Sequence, residues 1–173
     1  MTSLRVASTV VLALVAATIK AQTSHVQVGA LPGRSPIVFD TVRNRAVTFG
    51  ADRLFERDDF RWVRREGLGF SPPPLGGHAM AFDEARGQTL IQGGYSTGIN
   101  SSHYYLWDGL QWSSPGGVRP TARSDAAMAY DRQRQVIVLF GGSTSGATSF
   151  ADTWEWDGVQ WTQITPTSSP PAT

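Results

Sequence analysis

Cysteine is absent from the 173 residues, so no disulfide staples the fold and no thiolate can ligate a metal. Lysine is nearly absent: Lys20 stands alone, and every other cation is an arginine. Histidine occurs only at 25, 78 and 103, without H-x-x-x-H or related ligand spacing, so neither a metal centre nor a cofactor is expected. An excess of either charge is also lacking, since 15 Lys+Arg against 14 Asp+Glu leave a net charge of +1. That balance excludes a basic nucleic-acid-binding stripe. Even the arginine-rich "DRLFERDDFRWVRRE", residues 52 to 66, holds five arginines and five acids. Long hydrophobic runs are missing as well. The one apolar, uncharged run near the start, "VASTVVLALVAATI" from Val6 to Ile19, has 14 residues, whereas crossing a bilayer takes about 20. After the short positive start "MTSLR" it reads as a signal peptide, residues 1–21, cut before Gln22 or near Val15–Ala17. The expectation is a secreted chain, extracellular or periplasmic, with no stable membrane anchor.

What the chain has is glycine, 18 residues of it, ten prolines, six tryptophans and an internal repeat. "SPIVFDTVRNRAVTFG" (35 to 50), "HAMAFDEARGQTLIQGG" (78 to 94) and "AAMAYDRQRQVIVLFGG" (126 to 142) superpose. Each carries an aromatic followed by Asp, at Asp40, Asp83 and Asp131, spaced 43 and 48 residues. Arg follows three residues later (Arg43, Arg86, Arg134) and Gly ten residues later (Gly50, Gly93, Gly141). A second half-unit repeats too: "FERDDFRW" ending at Trp62, "YLWDGLQW" at Trp112 and "WEWDGVQW" at Trp161. Alternating apolar residues, β-branched and aromatic content and turn residues predict four short strands per unit, in the third unit near 126–131, 135–140, 152–156 and 159–164. Four strands per 43 to 48 residues is the signature of a propeller blade.

The aromatic-Asp turn, the Gly-Gly that closes the second strand and the W-x-W-D-G-x-x-W hairpin resemble Kelch repeats of the bacterial secreted type, as in the central domain of galactose oxidase-like proteins. The resemblance covers about residues 32 to 165. It implies an all-β chain of Kelch-type β-propeller blades, each of four antiparallel strands, about three blades in all. These are blade 1 at 32–74, blade 2 at 75–122 and blade 3 at 123–165, followed by a Pro/Ser/Thr-rich tail at 166–173. The repeat positions are Asp40, Gly50, Trp62, Asp83, Gly93, Gly94, Trp107, Trp112, Asp131, Gly141, Gly142, Trp154, Trp156 and Trp161. Blade 1 departs from the pattern, with Gly50-Ala51 for Gly-Gly and Asp58-Asp59 for Asp-Gly. The galactose oxidase copper site needs a cysteine cross-linked to tyrosine, chemistry this chain cannot supply.

Asp-Gly between apolar runs predicts a two-residue type I′ turn. With Asp157-Gly158 at the tip, Trp156 faces Val159, Glu155 faces Gln160 and Trp154 faces Trp161; likewise Tyr105 faces Trp112 and Phe55 faces Trp62. Trp154, Trp156, Val159 and Trp161 then share one face, as inter-blade core rather than a sugar platform. In blade 1 the same register sets Glu56 opposite Arg61, an exposed pair worth about 0–1 kcal/mol.

"GYSTG", Gly94 to Gly98, matches a hydrolase nucleophile motif, but "INSSHYY" follows it and no helix can begin there. Catalysis at Ser96 is therefore not expected. In Kelch propellers the loops after Gly-Gly and the inter-blade loops form a ligand-facing rim. The resemblance thus implies Tyr95, Asn100, His103, Arg119 and Arg123 as exposed binding candidates, with no catalytic residue and no metal ligand. The expected function is a non-catalytic binding scaffold for a protein or a glycan. The alternatives are a glycan-active enzyme built on the loops, or a truncated propeller with no function of its own. Three blades do not close a ring, so a six-bladed homodimer and an open segment are the two expectations for assembly, and the lost Gly-Gly and Asp-Gly of blade 1 favour the open segment.

Overall fold

The computed structural model describes residues 35–50, 52–145, 148–168 and 170. The proposed signal peptide lies outside them. Among the described residues there is no helix, and three four-stranded antiparallel sheets follow one another along the chain. The first holds β1 (Ile37–Asp40), β2 (Arg45–Gly50), β3 (Arg53–Arg57) and β4 (Trp62–Arg65). The second holds β5 (Ala79–Asp83), β6 (Gln88–Gln92), β9 (Tyr104–Trp107) and β10 (Trp112–Ser113). Between β6 and β9 sits a small hairpin of β7 (Tyr95–Ser96) and β8 (Ile99–Asn100). The third sheet holds β11 (Ala127–Asp131), β12 (Val136–Phe140), β13 (Thr153–Trp156) and β14 (Trp161–Ile164). Each sheet is an up-and-down meander, and the first strands of neighbouring sheets approach most closely, β1 against β5 and β5 against β11. The sheets therefore stand side by side around a line near their first strands. This is a partial β-propeller.

The repeated Asp builds the turn between the first two strands. Asp40 Oδ1 accepts from the Arg43 amide at 2.8 Å, and Asp131 Oδ1 accepts from the amides of Gln133 and Arg134 at 2.9 and 3.0 Å. The residue after each Arg turns left-handed: Asn44 (φ 54°), Gly87 (64°) and Gln135 (57°). None is β-branched, the type that position resists most.

Strand alternation fills two apolar layers, one between each pair of sheets. Val47, Phe49 and Leu54 meet Met80, Ile91, Tyr105, Trp107 and Trp112 in the first layer. Ala81, Leu90, Tyr104 and Leu106 meet Ile137, Leu139, Trp154, Trp156 and Trp161 in the second. Each sheet thus turns its tryptophan face toward the sheet before it. Trp154 and Trp161 are buried core, as the alternation implied.

The tryptophan hairpin has a different register from the one Asp-Gly predicts. Trp156 pairs with Trp161, Glu155 with Thr162 and Trp154 with Gln163. In the second sheet Trp107, not Tyr105, pairs with Trp112, and in the first Arg57, not Phe55, pairs with Trp62. The loop is four residues, Asp157 to Gln160, and only its glycine has positive φ (Gly158, 95°). The cause is the aspartate side chain: Asp157 Oδ1 accepts from the amides of Val159 and Gln160, both at 2.8 Å. Asp108 does the same for Leu110 and Gln111, again at 2.8 Å. An Asx-type turn replaces the I′ turn. The two-residue shift preserves the face of every tryptophan but leaves Val159 at the exposed tip. The aromatic pairs become Trp107–Trp112 and Trp156–Trp161, with ring centroids 5.2 and 5.8 Å apart.

The same shift overturns the reading of Glu56. It pairs across the ladder with Val63, not Arg61, and lies 1% exposed between the first two sheets. Its carboxylate accepts from Arg45 and Arg65 at 2.7 Å each and from Trp107 Nε1 at 3.1 Å. Burial pushes the Glu56 pKa up, but these three donors outweigh it and hold the carboxyl below its ordinary value.

The arginines of the first two Asp-turns tie one sheet to the next. Arg43 Nη1 holds Asp40 at 2.7 Å and donates to the Gly87 carbonyl at 2.9 Å, while Nη2 donates to the Asp108 carbonyl. Arg86 repeats this with Asp83, the Gln135 carbonyl and the Asp157 carbonyl. Each guanidinium lies across the glycine of the neighbouring loop, where a Cβ on Gly109 or Gly158 would overlap it. Asp-Gly is thus a seat for the previous blade's arginine as well as a turn.

Candidate ligand-facing rim

At the end of the sheets opposite the Asp-turns, the chain leaves the second strand through Gly93-Gly94 and Gly141-Gly142, all left-handed (φ 68° to 90°). Side chains are barred at the second glycine because the segment entering the same sheet runs alongside, and at Gly93 because the segment entering the next sheet crosses, its Arg123 carbonyl 2.5 Å from where a Cβ would stand. A Cβ on Gly142 would stand 2.6 Å from the Ser124 carbonyl, and one on Gly94 2.8 Å from that of Gly76. Backbone bonds then knit the rim: Gly94 N to Arg123 O (2.8 Å), Asp125 N to Gly77 O (2.7 Å), and a reciprocal pair between Ser124 and Ser143 (2.9 Å each). Blade 1 lacks this device. Gly50 pairs directly with Arg53, so its second and third strands are joined by a two-residue hairpin.

The five rim candidates have different fates. Arg123 is not exposed: it is 1% accessible and binds Asp152 through both guanidinium arms, Nη2 to Oδ2 at 2.8 Å, with Nη1 also on the Gly141 carbonyl at 2.9 Å and the Phe150 ring 4.1 Å away. Trp154 Nε1 donates to the same Asp152 at 2.7 Å. Burial pushes the Asp152 pKa up, and the bonds from Arg123 and Trp154 more than reverse it. Sequence position could not separate a rim arginine from a buried one, because both lie in the same polar linker. Asn100 is half-buried and bridges blades, donating to the Ser143 carbonyl at 3.2 Å and accepting from the Ser145 amide at 2.9 Å. Tyr95 is 48% exposed and lies flat over Gly76 and Gly77, whose missing side chains make room for the ring.

His103 and Arg119 gather around Tyr105, which the sequence cast as a partner of Trp112 and not as a rim residue. The His103 ring is exposed and near-parallel to Tyr105, at 6.5 Å and 18°. Its amide donates to Ser101 Oγ at 3.1 Å, which fixes the loop. Phe70 also approaches Tyr105, its ring centroid 6.1 Å away, and is 44% exposed. Arg119 is half-buried, close enough for its charge to act on both Tyr104 and Tyr105. Burial raises both phenol pKa values, and the arginine opposes the rise. Phe70 sits in "GFSPPPLGG", and an aromatic inside a Pro/Gly linker was the one signal that could have pointed to it.

Beside this cluster, the 66–74 linker and the ends of β3 and β4 enclose an open groove of about 500 Å³, lined among others by Arg53, Arg64, Arg65, Glu66, Pro72 and Pro74. Each arginine faces a carboxylate: Arg53 with Asp52 (3.2 Å), Arg64 with Glu66 (3.1 Å) and Arg65 with Glu56 (2.7 Å). Ser96 of "GYSTG" lies in the β7–β8 hairpin, whose tip Thr97-Gly98 has φ of 49° and 81°. That is a two-residue hairpin turn, not the strand-to-helix elbow a nucleophile needs. Among the described residues no three His, Cys, Asp or Glu side chains group as a metal site.

No family model matches the chain, and no curated protein matches its sequence. Among solved structures it is similar to that of YjhT, with a TM-score of 0.59 and 15% identity over 80% of this chain and 48% of that one. At that identity the likeness is one of fold. The chain spans about half the length of the solved protein that it matches.

Proposed function

We propose that this is a secreted, non-catalytic Kelch-type binding module that holds a glycan or a protein segment at its rim. The observation that carries the reading is the graded aromatic group on a rigid edge: exposed Phe70 and His103 flanking buried Tyr105, with Arg119 beside them. Aromatic faces offer area at low entropic cost, and imidazole and guanidinium groups supply donors for hydroxyl or carboxylate oxygens. Backbone bonds from the Gly93 amide to the His103 carbonyl and from the His103 amide to Ser101 Oγ hold the His103 loop before a ligand arrives, which lowers the ordering cost of binding. The rival reading, a glycan-active enzyme, needs two free carboxylates facing one site. Asp152, the carboxylate buried most deeply into the rim mesh, is already committed to Arg123 and Trp154.

The test is a glycan array with a parallel pull-down, using folded wild-type protein and the variants Phe70→Ala and His103→Ala. Binding that weakens in both variants without loss of folding supports the assignment. Turnover of a bound oligosaccharide, or binding indifferent to both substitutions, overturns it. Secretion is tested separately by mass spectrometry of exported protein, with the N-terminus expected at or near Gln22.

A further inference from the structure

No other sheet packs on two faces among the described residues: the outer face of β11–β14 and the outer face of β1–β4, the latter exposed at its margins although Thr48 and Phe55 on it are buried. We propose that these two faces bind each other between two copies of this chain, head to tail. The inference is independent of what the rim binds.

The first face repeats a docking surface already in use. Blade 1 holds blade 2 with Val47, Phe49, Glu56 and Arg43. In the repeat alignment blade 3 carries Val138, Phe140, Glu155 and Arg134 at those positions, on the side away from blade 2. The valine and phenylalanine are only half-buried. Arg134 differs from Arg43 and Arg86 in reaching no neighbouring sheet among the described residues. It folds back, with Nε on Asp131 at 2.7 Å and Nη1 on Glu155, and stays 51% exposed where the other two are 28% and 34%.

The second face is the tryptophan side of blade 1, and it departs from blades 2 and 3 at two seats. Arg57 stands where Trp107 donates to Glu56, and Asp59 stands where Gly109 receives Arg43. Both departures complement blade 3 of another copy: Arg57 meets Glu155, and Asp59 meets Arg134. The Asp59 side chain bars Arg134 from lying across the loop as Arg43 does, and replaces that packing with a carboxylate–guanidinium pair. Ile37 and Phe39, on this outer face, and Phe60, in its hairpin loop, are 57%, 53% and 92% exposed, an apolar patch of the kind that marks an interface. A Trp-Asp-Gly blade would also suit the valine–phenylalanine half of the seat, but it offers no charge to Glu155. Two copies of the three described sheets make six blades, within the four to eight that close into rings, whereas three copies would make nine.

Sedimentation velocity over a range of concentrations tests this. The wild-type chain is expected to form a two-chain species. Glu155→Arg and Arg57→Glu should each weaken it about tenfold or more, and the double variant should recover most of the affinity, because the swapped pair restores opposite charges. Glu155→Gln and Arg57→Gln, gentler to folding, should weaken it less. Near-UV circular dichroism checks that every variant is folded. A wild-type chain that stays single at all concentrations overturns the proposal, as does a dimer unmoved by either charge reversal.

Discussion

Replacing Glu56 by glutamine tests the largest electrostatic feature between the blades. The carboxylate is 1% exposed and takes three donors, two of them guanidinium groups. Glutamine keeps the shape and one acceptor for Trp107 but removes the charge both arginines face. Removing one member of a buried ion pair costs about 3–5 kcal/mol. Arg45 and Arg65 are 30% and 23% exposed and can turn partly to water, so the lower figure, about 3 kcal/mol, applies at pH 7. With a urea m-value of about 2 kcal/mol/M, the unfolding midpoint should fall by about 1.5 M. The effect must also fade with acid. The folded-state pKa lies below the ordinary value of 4.5, so the carboxylate stabilises above that value and its contribution is lost as pH falls through the folded pKa. Wild type and Glu56→Gln should therefore converge progressively as pH falls below 4.5 and through the folded value. A midpoint shift under about 0.3 M at pH 7, on the same m-value, or a difference that does not change with pH, would refute the reasoning.

Four further outcomes are expected. His78 is 5% exposed, and burial, only partly opposed by the nearby backbone of Leu75 and Phe49, lowers its pKa to about 4 from 6.5. The unfolded chain therefore binds the extra proton, and stability should fall by about 3 kcal/mol as pH drops from 6.5 to 4; denaturant titrations at several pH values should show this slope vanish in His78→Leu. Gly158→Ala should cost about 2–3 kcal/mol in urea melts, since the added carbon meets a left-handed φ of 95° and displaces Arg86, whereas Gly116→Ala, at a site with open space around it, should cost little. Asp152→Asn should cost about 3 kcal/mol by the same assay, because it strands the buried Arg123 guanidinium. Ser96→Ala should leave every measurable binding or activity unchanged; loss of a hydrolase activity from folded protein would overturn the hairpin argument.

The sequence by itself determined the sheets. Asp40, Asp83 and Asp131, the arginine three residues on and the paired tryptophans recur at offsets only a four-strand unit accommodates, and alternation assigned each tryptophan its face. Those are local properties: a side-chain oxygen three bonds from its own turn, or a period of two along a strand. Tertiary structure decided the rest. Only the folded hairpin shows that Asp157 works through its side chain, whose Oδ1 takes the amides of Val159 and Gln160 and widens the tip to four residues. The burial of Glu56 and Arg123 was not legible, because each is buried by partners that come from other sheets or lie far along the chain, Trp107 for the first and Asp152 for the second. The second use of Asp-Gly, as the seat of an arginine 65 or 71 residues earlier, was hidden for the same reason. A contact between blades has no period within one repeat. It is set by how two sheets stack, and only the folded chain brings those residues together.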